Sequence, residues 1–66
     1  MTEPPLHRRH PRMWNCYYAL CARLCIEPIP GHLLDRALLN SEFRRLHGLA
    51  LDSRIDVSDI IEEAVR

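Results

Sequence analysis

The sequence predicts a mainly α-helical domain of small size, and three observations carry that prediction. Apolar residues recur at helical rather than alternating spacing over 13–26, 41–52 and 57–66. All five prolines lie outside those segments. The chain is only 66 residues long, so one small core, worth roughly 3–5 kcal/mol, is all it can build. Such a chain is expected to lean on a partner, a metal or self-association.

Residues 1–12 hold three prolines and no periodicity, and are expected to form a flexible basic tail carrying Arg8, Arg9 and Arg12. As a basic arm, that tail would lie against phosphate groups. Residues 13–26 form the N-terminal apolar helix. Met13, Tyr17, Leu20 and Leu24 make one stripe, and Trp14, Tyr18, Cys21 and Cys25 make a second beside it. A helix apolar on most of its surface must be covered, so Trp14, Tyr17, Tyr18, Leu20 and Leu24 are expected at an interface with another protomer or another protein. Residues 26–31 break the chain. Pro28 and Pro30 deny the residues before them a helical conformation, and Gly31 permits a turn.

The C-terminal unit, 32–66, is of helix-turn-helix type. Asn40 is a capping candidate for a helix over 41–52, whose Phe43, Leu46, Leu49 and Ala50 share a stripe with Arg44, Arg45 and His47 outside it. Residues 53–56 interrupt the pattern. Asp56 with Asp59 three places later signals the start of a second helix, in which Val57, Ile60, Ile61, Ala64 and Val65 recur in phase. Arg66 would sit at the negative end of its dipole.

Composition excludes several classes. The net charge is zero, with residues 1–25 at +3 and 26–66 at −3, so the chain is not a uniformly basic nucleic-acid binder. No phosphate-loop, dinucleotide-binding, nucleophile-elbow or metalloprotease motif occurs, and no catalytic residues are expected. Asn15, Arg23 and Glu27 interrupt the longest apolar stretch, so no membrane span is expected. Cys16, Cys21 and Cys25 lack the tight paired spacing of a zinc knuckle, and neither a metal nor another cofactor is expected. Three cysteines without a secretory signal predict a reducing, cytoplasmic setting.

Two motifs carry a family resemblance. Leu46-His47-Gly48-Leu49-Ala50, and Val57 through Arg66 reading VSDIIEEAVR, resemble the two-helix part of the ribbon-helix-helix family of small dimeric repressors and antitoxins, over residues 39–66. The resemblance implies a homodimer whose paired strands, here 32–39, enter the major groove of DNA. His32, Leu34 and Arg36 would then face the bases, Val57 and Ser58 would offer backbone N–H groups to phosphate, and Arg44 and Arg45 would add phosphate contacts. Phe43, Leu46, Ile60 and Ile61 would form the dimer core. Where that family commonly has glycine between its helices, this chain has Arg54.

Taken by propensity alone, residues 32–39 read as helix, since Leu33, Leu34, Ala37 and Leu38 are helix formers at helical spacing. That reading makes an all-α domain that docks on a larger protein as an inhibitor, adaptor or accessory subunit. The sequence therefore predicts one of two functions, a dimeric DNA-binding regulator or a helical protein-interaction module.

Overall fold

The computed structural model describes residues 4–65; the expected roles of Met1–Glu3 in the tail and of Arg66 at the helix end lie outside the described residues. The fold is all-α. Among the described residues, four helices, α1 (Leu6–Arg9), α2 (Pro11–Arg23), α3 (Arg36–Asp52) and α4 (Ser58–Val65), are joined by a 3-10 turn at Gly31–Leu33 and by irregular segments. No strand occurs among the described residues.

The N-terminal region departs from the expected tail. Pro5 opens α1, and Leu6 is fully buried, which ties this end to the core. His10 precedes a proline and so leaves the helical region, at φ −135° and ψ 69°, breaking the chain between α1 and α2. Pro11 then starts α2 at the position where its missing N–H costs nothing.

Helix α2 ends at Arg23, three residues before the expected end. Cys25 takes φ 57°, Ile26 N–H bonds to the Cys21 carbonyl at 2.9 Å, and Cys25 N–H bonds to the Ala22 carbonyl at 3.2 Å. This is a Schellman closure with cysteine where glycine is usual. The same closure ends α3, with Arg54 at φ 58°, Ile55 N–H on the Ala50 carbonyl at 2.8 Å and Arg54 N–H on the Leu51 carbonyl at 3.2 Å.

Helix α3 starts earlier than Asn40. The Asp35 carboxylate accepts the Leu38 N–H at 2.7 Å and caps the helix, so 36–39 join 41–52 in one element and Asn40 lies inside it. The segment that the ribbon reading needs as strand is therefore a 3-10 turn, a short extended link and the first turn of α3. The cause is local: Arg-Ala-Leu-Leu follows a good cap and contains no β-branched residue.

The core lies around α2, which packs against α1, α3 and α4. Tyr17, Leu20 and Cys21 from α2 meet Leu6, Leu34, Leu39, Leu46, Ala50, Val57 and Ile60. This central position covers much of the apolar surface that the sequence reading assigned to an outside partner. Tyr17 is fixed twice, since its hydroxyl accepts the Ile29 N–H at 3.0 Å and its ring meets Phe43 edge-on at 6.2 Å. The first bond pins the proline-rich link onto α2.

Candidate partner-binding surface

The structure sorts the residues singled out by the sequence into three groups. Leu34 and Val57, expected to face DNA, are buried in the chain's own core, as are Tyr17, Leu20, Leu46 and Ile60, expected at an interface. Leu34 follows the 3-10 turn and Val57 precedes α4, so each anchors a link instead of presenting an edge. Trp14, Leu24, Phe43 and Ile61 are half-buried against that core. His32, Arg8, Arg44 and Ser58 stay exposed, and Tyr18 is 54% exposed although its ring meets that of Trp14 at 6.0 Å in a tilted arrangement.

Ion pairs commit part of the charge. Arg12 reaches from α2 to the Glu63 carboxylate on α4, with its Nε at 2.8 Å and its Nη2 on the same oxygen. At the other end of the α2–α4 contact, Arg23 donates to Asp59 at 3.1 Å and to the Asp56 carbonyl at 3.0 Å. Arg45 pairs with Glu42 one turn earlier at 2.6 Å. The Arg12–Glu63 and Arg23–Asp59 pairs are exposed on both sides, and each contributes at most about 1 kcal/mol, whereas Glu42 is largely covered and only Arg45 of its pair is exposed. Asp56 accepts both the Ser58 N–H at 3.0 Å and the Ser58 hydroxyl at 2.7 Å, and these bonds hold its carboxyl below the usual range, with Arg23 assisting. Ser58 is thereby turned to its own helix start.

One cleft brings arginines together. Arg9 at the end of α1, Arg12 in the first turn of α2 and Arg36 at the first position of α3 line an opening of about 470 Å³, together with His10, Met13 and Glu63. Three of the arginines proposed from sequence for phosphate or base contact thus line one opening, while Arg44 and Arg45 do not line it. His10, Met13 and Glu63 carried no sequence signal for this site; only the bend at His10 and the packing of α4 on α2 bring them there. A second groove of about 620 Å³ runs along the α2–α4 seam over Asn15, Cys16 and Ala19, between the Arg12–Glu63 and Arg23–Asp59 pairs.

The two buried thiols, Cys16 and Cys21, are ill suited to chemistry. Burial pushes the Cys16 and Cys21 thiols up, and Glu63 adds to the effect at Cys16. A thiol held protonated is a poor nucleophile and a poor ligand. Among the described residues no three His, Cys, Asp or Glu side chains gather as a metal site, and no helix is long and apolar enough to cross a membrane. What the surface offers is charge-assisted hydrogen bonding from guanidiniums and, elsewhere on the chain, the exposed apolar residues Tyr18, Leu33, Leu49 and Leu51. No protein family, curated protein or solved structure matches the chain.

Proposed function

We propose that this chain is a helical protein-interaction module, an inhibitor, adaptor or accessory subunit that docks on a larger protein. The observation that supports the reading is the cleft that Arg9, Arg12 and Arg36, drawn from three helices, line together with Met13 and Ala64. Arginine beside apolar side chains is the composition of protein–protein contact regions. The core that the ribbon reading would share between two chains is filled within one chain here, by Leu46 and Ile60 among others.

A second reading, the dimeric DNA-binding repressor or antitoxin-like regulator, draws on the α3–turn–α4 unit. Arg54 holds a positive φ at the place where the ribbon-helix-helix family commonly has glycine, so the backbone of the turn suits that resemblance. It requires residues 36–39 to leave α3 and pair as strand. Both readings assume the cytoplasm, where Cys16, Cys21 and Cys25 remain thiols.

Sedimentation equilibrium in reductant at low micromolar concentration separates the two. The docking reading expects a folded monomer that binds duplex DNA weakly and loses that binding as salt rises. A stable species of twice the chain mass would move the assignment to the DNA-binding dimer.

A further inference from the structure

Helix α3 carries two residues that work against it as a helix of a single chain. Gly48 lies in the helix interior, where glycine is less favourable than alanine, and a Cβ there would meet no atom within 4 Å, so no close approach within the chain calls for it. Asp52 lies in the last turn, at the negative end of the helix dipole. Both share an exposed face with Arg44, because 44, 48 and 52 recur at four-residue spacing. Neither Arg44 nor Asp52 has an opposite charge three or four places away, and neither side chain has a bonded partner among the described residues. Leu51 flanks the face and is 66% exposed, more than any other large apolar side chain among the described residues.

This face is complementary to itself. In a pair related by a two-fold axis, residue i of one copy meets residue j of the other, and j meets i. With two α3 helices antiparallel and the axis at Gly48, Arg44 of each copy faces Asp52 of the other. Both ion pairs form together, each carboxylate at a negative dipole end gains a cation, and the missing side chain at Gly48 lets the helices approach where they cross. Of the remaining charges on α3, Arg45 is paired with Glu42, and Arg36 lies about 18 Å from Gly48 along the helix. We infer that α3 is a self-association face through which two copies of this chain pair, crossing at Gly48. A contact through residues 44–52 of one helix belongs to the small, transient class of interfaces, under about 1,200 Å², so the copies separate at low micromolar concentration and pair toward the millimolar range. Arg44, Gly48 and Asp52 do not line the arginine-lined cleft, so the inference goes beyond the docking reading and leaves that cleft free.

The test is sedimentation equilibrium of the full chain in reductant from about 10 µM to about 1 mM, with far-UV circular dichroism of each variant beside it. The unaltered chain is expected to be monomeric at the low end and to dimerise toward the high end. Arg44→Asp and Asp52→Arg each set like charges against one another twice, and each should weaken the dimer at least about tenfold; the two exchanges combined restore opposite charges and should recover most of that loss. Gly48→Leu should abolish the dimer with helical content unchanged or higher, because the position is open in the single chain. A monomer at about 1 mM overturns the inference and leaves the docking reading standing. A dimer that ignores both single exchanges, or a combined exchange that recovers nothing with helical content unchanged, also overturns it. A dimer that persists at low micromolar concentration and ignores the exchanges overturns the docking reading as well, because such a dimer belongs to a core shared between chains.

Discussion

Arg54 and Cys25 are the residues under most strain, because each holds a left-handed backbone that costs a side chain bearing Cβ about 1 kcal/mol or more. Arg54→Gly and Cys25→Gly are therefore each expected to raise stability by roughly 0.5–1 kcal/mol, after the larger conformational entropy of glycine in the unfolded chain is subtracted. Urea midpoints of the two variants check this, and a fall in midpoint would mean that those side chains make contacts worth more than the strain. The helix stop after Asp52 was legible, since the apolar pattern breaks over 53–56, whereas nothing in Cys25-Ile26 signals a stop, and at neither site does the sequence show the left-handed turn itself. The Schellman hydrogen bonds and the packing of Ile26 and Ile55 on the core impose it.

Buried acids give the chain an alkaline limit. Burial raises Cys16, Cys21 and Tyr17, so the unfolded chain loses these protons at lower pH than the folded one. The stability tied to the thiols is complete below their ordinary value of about 8.5 and is lost as pH rises from there through the raised folded values, and that tied to the phenol falls in the same way above about 10. A urea midpoint that falls between neutral pH and pH about 10, and falls less in Cys21→Ala, is the expected result. A midpoint independent of pH in that window would contradict it.

Among the elements, α3 is the longest and carries a glycine that its packing does not require. A Cβ at Gly48 would meet no atom within 4 Å, so Gly48→Ala should stabilise α3 by about 0.5–1 kcal/mol, read as a higher melting temperature. No rise would show that Gly48 serves something other than the isolated chain. Gly31 is the opposite case, because a Cβ there would collide with the His7 ring that seats α1 beside the 3-10 turn. The element boundaries were partly readable. Proline at 28 and 30 marks the break, and the 57-60-61-64 spacing marks α4. The start of α3 was misread at Asn40 because two capping residues, Asp35 and Asn40, compete in sequence, and the one followed by unbroken helix formers wins.

At the scale of the molecule, a core this small leaves little reserve. Leu46 is fully buried, and Leu46→Ala removes about 2–5 kcal/mol, comparable with the whole stability available. The variant should lose most of its far-UV helical signal at room temperature. Retention of that signal would mean that the core draws on more than this one chain.

Sequence by itself determined the helical class, the division near residues 26–31 and the amphipathic phase of α4, because these depend on spacing and on residues such as Pro28 that act within a few positions of themselves. Only the tertiary structure decided which stripes are covered. Leu6 enters the core from a region that reads as tail, Leu49 is left at the surface where Leu39 is buried, and Arg9, Arg12 and Arg36 converge. Periodicity says that a face is apolar; what lies against that face is set by how links such as Glu27–Pro30 and the bend at His10 aim the helices, and no local pattern encodes that direction.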